Sequence, residues 1–327
     1  MFQSSYESYD HTIIHLAFTY ILLGYVSISY NQPKFCATAS WNVNGIIIAN
    51  SSLLGHQPDN VFIDINNSVY VAVYWYNRIL SWSAGSLIPT RTLTGGLNGP
   101  HGIFVTINGD IYVDNGYKGR VRKWAPNMTS STIVMYVTSQ CDGLFVDINN
   151  TIYCSQSYDH QVIANSQEDG ANFSTIVAGT SFPGSASNML NYPNGIFVDI
   201  NFNLYVADYG NNRIQLFKYG QLFGTTVAGG ELEVNVALNR PTTVVLDADN
   251  NLFIVDSFNN RIIMLGPIGF RCLIGCLYTN GLDSGQLQSP YWMAFDSYGN
   301  MFVTDWDSNQ LQKFILATNS CGEFDKS

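Results

Sequence analysis

The chain has 327 residues, of which only 12% are charged, and a formal net charge of −10. Its 14 Lys and Arg residues are spread along the sequence and exclude a phosphate-tracking nucleic-acid surface, while 46% hydrophobic and 14% aromatic content excludes a disordered chain. A chain of this length is large for one hydrophobic core, so several domains or a repeat array are expected.

The first predicted element is a leader. Ile13 to Ser29 reads IIHLAFTYILLGYVSIS, a length between that of a signal-peptide core and a membrane helix. Ser27-Ile28-Ser29 is a small-x-small cleavage site, but the preceding flank carries Glu7 and Asp10 and no Lys or Arg. Residues 1–29 are therefore expected to be a signal peptide or a signal anchor, with a buried core strand as the alternative. Five Asn-x-Ser/Thr sequons, at Asn50, Asn66, Asn127, Asn149 and Asn172, and an even cysteine count agree with a secreted or cell-surface chain. In a reducing compartment the cysteines would instead be small buried hydrophobes.

From residue 58 onward the chain repeats. Six segments align, starting near Pro58, Pro100, Cys141, Pro193, Pro241 and Pro290, and their Asp64, Thr106, Asp147, Asp199, Asp247 and Asp296 recur every 41–52 residues. In the fourth unit, Gly195 to Asp199 is a short apolar run that fits an inner strand buried on both faces. A polar turn, a second run (Leu204 to Asp208), another turn and a third run (Arg213 to Phe217) follow. Linker runs such as Thr225 to Ala228 supply a fourth strand, and four antiparallel strands make one propeller blade. The sixth unit lacks its fourth strand, and Asn44 to Ala49 carries that signal instead. The fold class expected is thus all-β: a six-bladed β-propeller whose last blade is closed by an N-terminal strand. Residues 30–57 are the linker and closing strand, and join 58–327 in one domain.

Cys36 and Cys321 flank the two closing strands and are expected to pair. Cys272 and Cys276 are close enough to bridge a turn containing Gly275. Cys141–Cys154 is assigned by default, since simple hairpin register sets Cys154 opposite Phe145, several residues out of step.

The strings PNGIFVD from Pro193 and LYVADYGNNRI from Leu204 resemble the NHL-repeat family, and the likeness extends over about Pro58 to Phe314. The resemblance implies the propeller fold. Family members include protein-binding platforms, RNA-binding modules, sensors and a metal-dependent lyase, so it does not imply one function. The Asp208–Arg213 and Asp256–Arg261 pairs, five residues apart across a turn, read as structural ties.

A propeller brings its inner-strand starts together around a central channel. The second position of each P-x-G triplet should ring one mouth: Asp59, His101, Asp142, Asn194, Thr242 and Tyr291. The related amidating lyase holds its metal with His residues at such positions, and here only His101 matches. Lactonase-type propellers hold Ca²⁺ with acidic and Asn side chains, so Asp59, Asp142, Asn194 and His101 are candidate ligands for a channel Ca²⁺. Tyr74, Trp75, Tyr76, Tyr117, Tyr158, Tyr209, Phe258 and Trp306 fall in the second turn and are expected to crown one face with aromatics. No G-x-S-x-G, H-E-x-x-H or P-loop string occurs, and no catalytic residue is nominated. The function expected is a secreted or membrane-anchored binding module for an extracellular protein or glycan. It would meet a membrane only through an uncleaved leader. A metal-dependent hydrolase or lyase at the channel mouth is the alternative.

Overall fold

Each repeat builds its first hairpin around one carboxylate. In the computed structural model, which describes residues 28–230, 237–276 and 287–321, Asp199 Oδ1 accepts the backbone N–H groups of Asn201 and Asn203 at 2.9 and 2.8 Å. An Asp that satisfies the turn's own donors fixes a tight connection between two apolar runs. The same arrangement recurs at Asp64, Asp147, Asp247 and Asp296. Thr106 replaces it with a longer bond, its Oγ1 accepting from Asp110 N–H at 3.2 Å.

The second turn is a single 3₁₀ turn closed by a residue in the left-handed conformation. Asn77, Asn212, Asn260 and Asn309 occupy that position with φ of 50–55°, and His160 does so at 51°. Asn tolerates this region better than other side chains. The side chain also reaches the next blade. Asn77 Oδ1 accepts Gly99 N–H at 2.7 Å, and Asn212, Asn260 and Asn309 accept Arg240, Ser289 and Gln57 N–H at 2.8 Å. His160 Nδ1 does the same for Tyr192 N–H at 3.1 Å. All five recipients are left-handed residues standing directly before the proline that opens the next repeat. The joint between blades two and three lacks the tie, because Gly119 offers no side chain there.

The described residues form six four-stranded antiparallel sheets, each wound outward from the axis. Five span 61–93, 103–136, 143–179, 193–229 and 241–274. The sixth contains Pro290–Phe295, Met301–Asp305 and Gln310–Phe314, and Ile46–Ala49 completes it, with Ile46 opposite Lys313 and Ala49 opposite Leu311. A second clasp, absent from the sequence expectation, pairs Ser40–Trp41 with Leu316–Thr318. The Cys36–Cys321 disulfide lies beside it and closes a loop of 285 residues; in the chain-entropy view, that constraint is worth up to about 5 kcal/mol. Cys272 is bonded to Cys276.

Cys141 and Cys154 are also bonded, with Cα atoms 5.1 Å apart. The expected hairpin register is wrong by one residue: Leu144, not Phe145, faces Cys154. Asp142 N–H bonds to the Ser155 carbonyl at 3.0 Å, which holds the start of the inner strand against its partner and brings Cys141 within reach.

Inner strands approach one another closely at the axis. A Cβ on Gly143 would stand 2.6 Å from the Asn194 carbonyl of the next blade, so glycine is needed there. Below this level Phe62, Phe104, Phe145 and Phe197 form an arc of buried rings with centroids 4.9–5.4 Å apart. Segment 29–34 crosses the far end of the channel. Tyr30 packs edge-on against Phe145 and Phe197 at 5.4 and 5.2 Å. Asn31 Nδ2 donates to the carbonyls of Asp64 and Phe295, Gln32 Nε2 to that of Asp247, and Ser29 Oγ accepts Ile107 N–H. These contacts reach all six blades. The sequence assigns residues 30–57 only linking and closing roles, yet the first of them plug the channel. Residues 1–27, which hold most of the expected leader, lie outside the described residues.

His160 offers a direct check on the inter-blade tie. Burial pushes its pKa below the ordinary 6.5, against the pull of Asp159 and Asp208. Its contribution is therefore complete above pH 6.5 and lost as the pH falls below that value, when Nδ1 gains a proton and can no longer accept. His160→Asn should keep the bond and stabilise the protein by about 0.5–1 kcal/mol at pH 7. The gain should be larger at pH 5, read as melting temperature across pH. An equal acid-induced fall in both proteins would show that the His160 bond does not matter.

Candidate functional site

The strand-start end of the axis opens into a cavity of about 320 Å³. Asp59, His101, Asp142, Asn194 and Tyr291 line it, as the P-x-G spacing predicts for residues that enter inner strands side by side. Thr242 does not line it; it is 1% exposed and its Oγ1 has no hydrogen-bond partner.

The wall is aromatic. Tyr74, Trp75, Tyr117, Tyr158, Tyr209 and Trp306 reach it from the second turns. Tyr192, which the sequence pattern did not mark, joins them from its left-handed position before Pro193. Tyr76 and Phe258 belong to the expected crown but not to the cavity. Each lies under a guanidinium instead, Arg78 at 5.1 Å and Arg240 at 4.3 Å. Tyr291 lies flat on Trp306 with centroids 4.0 Å apart and planes 10° apart. Trp306 Nε1 donates to Asp59 Oδ1 at 3.2 Å, and Asn194 Nδ2 donates to the Tyr291 hydroxyl at 2.8 Å. The hydroxyls of Tyr74 and Tyr117 are hydrogen-bonded to each other.

The charges are arranged around His101. Its Nδ1 lies 2.9 Å from Asp59 Oδ2 and 3.8 Å from Asp142 Oδ1. Burial alone would lower the pKa of His101, but the charge and hydrogen bonding of Asp59, with the charges of Asp142 and Asp114, push it up to about 10. Burial raises the pKa of Asp142, offset in part by His101, and Gln140 Nε2 donates to Asp142 at 3.0 Å. Asp114, fully buried beneath the mouth, is pushed up to about 7 by burial, despite the charge of His101 and the Gly116 N–H at 2.9 Å. Asp114 precedes the Asn115 that stands where other units have their tie Asp, so the motif alignment hides it.

Two carboxylates that face each other repel unless a cation or a proton is shared between them. The protein supplies that cation itself, as the His101 imidazolium. A resident Ca²⁺ would require about six to eight oxygens at 2.3–2.6 Å. The space between Asp59 and Asp142 is filled by a ring nitrogen, and among the described residues no group of three or more His, Cys, Asp and Glu side chains is placed to hold a metal ion. As arranged, the Asp59, Asp142, Asn194 and His101 set puts a ring nitrogen, not a cage of oxygens, between the two carboxylates. Below the polar ring the channel is mostly apolar, with Asn60 and Thr243 among its lining residues, and Tyr30 and Asn31 plug it.

Neighbouring hydroxyls are committed to structure. Ser155 Oγ donates to the Asn194 carbonyl, Ser157 Oγ to that of Pro193 at 2.5 Å, and Thr304 Oγ1 to that of Asp59 at 2.6 Å. The Asp–Arg ties stand away from the cavity: Arg213 Nε meets Asp208 Oδ2 at 2.8 Å and Arg261 Nε meets Asp256 Oδ2 at 2.7 Å.

No family model matches the sequence, and no curated protein matches it. Solved structures share the fold. Virginiamycin B lyase from Staphylococcus aureus aligns with a TM-score of 0.55 at 16% identity, covering 79% of this chain and 80% of that one. An auxiliary nutrient-binding protein from Bacteroides thetaiotaomicron aligns at 0.64 and 14%, covering 89% and 76%. A chain of a nidogen/laminin complex aligns at 0.52 and 19%, covering 64% and 75%. At these identities the likeness establishes the six-bladed fold alone.

The internal ion pair has a pH signature. His101 contributes stability that is complete below its ordinary 6.5 and lost as the pH rises toward about 10. Asp114 acts in the same direction between 3.8 and about 7. The wild-type melting temperature should therefore decline from pH 7 to pH 10, and His101→Gln should start lower and decline less. Millimolar Ca²⁺ should leave the wild type unchanged and raise the melting temperature of His101→Gln, whose carboxylates have lost their cation. A Ca²⁺-dependent rise in the wild type would overturn this assignment.

Proposed function

We propose that the chain is a non-catalytic binding module, an NHL-type propeller acting outside the cell, whose ligand enters by the aromatic mouth. The observation that carries this reading is the one-ended cavity, walled by Tyr and Trp and closed beneath by the phenylalanine arc and Tyr30. Rigid aromatic side chains that keep a polar edge are efficient anchors for a partner.

Catalysis has weaker support. A general base works best with a pKa near the operating pH, and His101 is held protonated by its carboxylates. The nearby serines donate to backbone carbonyls rather than to a base. The metal-dependent hydrolase or lyase reading has no ready seat for its ion. The neighbours do not decide the matter, since one is a lyase, one binds nutrients and one comes from a complex with laminin.

An extracellular protein or glycan is the partner class proposed. The three disulfides pair all six cysteines, as an oxidising compartment allows. Among the described residues no helix is long and apolar enough to cross a membrane. The sequon residues Asn50, Asn66, Asn127, Asn149 and Asn172 are all exposed. Expression in a secretory host should give a protein whose apparent mass falls on glycosidase treatment, with Asn66 and Asn149 among the modified sites. Unchanged mass with six titratable thiols would place the protein in a reducing compartment.

The binding reading is tested by capture of extracellular partners with the wild type and with Trp75→Ala and Tyr158→Ala, two exposed mouth residues. Loss of about 1–2 kcal/mol, roughly 5- to 30-fold in affinity, is expected for each. Capture unaffected by both substitutions would remove the mouth from the function.

A further inference from the structure

The polar atoms at the base of the mouth distinguish among ligand chemistries. His101 and Asn194 are 9% and 7% exposed, and His101 Nε2 and Asn194 Oδ1 have no hydrogen-bond partner. A protonated imidazole offers a donor at Nε2, and the amide oxygen offers an acceptor. Leaving such groups unpaired when buried is costly, so a ligand that completes both is favoured.

Three ligand charges can be compared. An organic cation would suit the aromatic wall and Asn194 Oδ1, but it would meet a second cation at His101, with Asp59 already paired to that imidazolium at 2.9 Å. A carboxylate or sulfate would suit His101 Nε2, but it would face Asp142, Asp59 and the Asn194 oxygen. A hydroxyl both donates and accepts, and so completes Asn194 Oδ1 and His101 Nε2 without adding charge to the mouth. Gln57, Gln140 and Ser157 add further uncharged polar groups to the lining. The stacked Tyr291–Trp306 pair and the exposed Trp75 suit the apolar C–H faces of a ring that carries hydroxyls on its edge. The cavity, about 320 Å³, falls in the range of roughly 300–1,000 Å³ usual for small-ligand sites.

We propose that the mouth binds a neutral polyhydroxylated ring, the uncharged terminal sugar of a glycan, with its hydroxyls on His101 and Asn194 and its C–H faces on the aromatic wall. The assignment rests on the mouth being the binding site and adds the chemical class of what it takes.

The test uses the full chain from a secretory host on an array of immobilised glycans ending in neutral, sialylated or sulfated sugars. Tryptophan fluorescence titrations with N-acetylglucosamine, galactose, gluconate and choline run alongside. Binding to one or more neutral termini is expected, weakened about tenfold in Trp75→Ala, as loss of a stacking contact implies. Acidic termini on the same core should bind at least about tenfold more weakly. Choline should leave the wild-type fluorescence unchanged and gain binding in His101→Gln. Saturable choline or gluconate binding with sugars inactive would overturn the sugar assignment and keep the mouth as a site. Silence from every glycan and small molecule, with partner capture still sensitive to Trp75→Ala, would also overturn it while the binding reading stands. If capture is insensitive as well, both fall.

Discussion

One hydrogen bond sets the geometry between neighbouring blades. The side chain of a left-handed residue, usually Asn, reaches across to the backbone N–H that precedes the next P-x-G triplet. Both residues are in a strained backbone region: Arg240, Gln57 and Tyr192 have φ of 51° without being glycine. Such conformations persist only where the surroundings over-determine them. The bond does this, and so fixes where the following proline turns the chain inward and where the residue after it meets the axis. Asp59, His101, Asn194 and Tyr291 each follow such a joint and are held further by contacts with one another or with Trp306, whereas Asp142 follows the joint that lacks the bond.

The axis is graded along its length. At the mouth, aromatic walls surround a paired set of charges; lower down, mostly apolar side chains line the channel, with Asn60 and Thr243 among them; at the far end a strap of backbone and amide contacts seals it. A cavity with one opening suits capture more than passage. The His101 pair has a further effect. Two buried carboxylates without it would each face a large desolvation cost, so the imidazolium both permits the acidic pair and limits what else can approach it.

Much of the fold was legible in the sequence because each blade repeats the same local chemistry. The hairpin Asp, the left-handed Asn and the alternation of short apolar runs are all backbone requirements, and a single chain shows the runs in all six units, the Asp in five and the Asn in four. Ring closure was legible for the same reason, since a missing strand at one end matched an extra one at the other. What the repeats do not share could not be read. Asp114 lies one position before the motif Asp position, where other units carry Ala72, Ser155, Ala207, Val255 or Thr304, and the Cys141 backbone of the neighbouring blade helps to hold it. The pairing of His101 with Asp59 depends on the angle between blades one and two. The plug at Tyr30 and Asn31 follows no pattern at all, because its partners are carbonyl oxygens that any residue supplies. Cys141–Cys154 looked out of register only because the irregular start of the inner strand leaves no mark in composition.

Ring closure also dictates an order of events during synthesis. Cys36 and the strand Ile46–Ala49 emerge from the ribosome first, but their partners, Cys321 and Gln310–Phe314, emerge last. At about 5–20 residues per second, the wait is roughly 15 seconds to a minute. The Cys272–Cys276 and Cys141–Cys154 bonds, spanning 4 and 13 residues, can form as soon as their own segments appear. Throughout that interval the nascent chain carries an unpaired strand edge, an unpaired thiol and an unseated Tyr30. The earliest-made segment of the propeller is thus the last to fold, and it is the part that folding helpers and thiol oxidases would find exposed for longest.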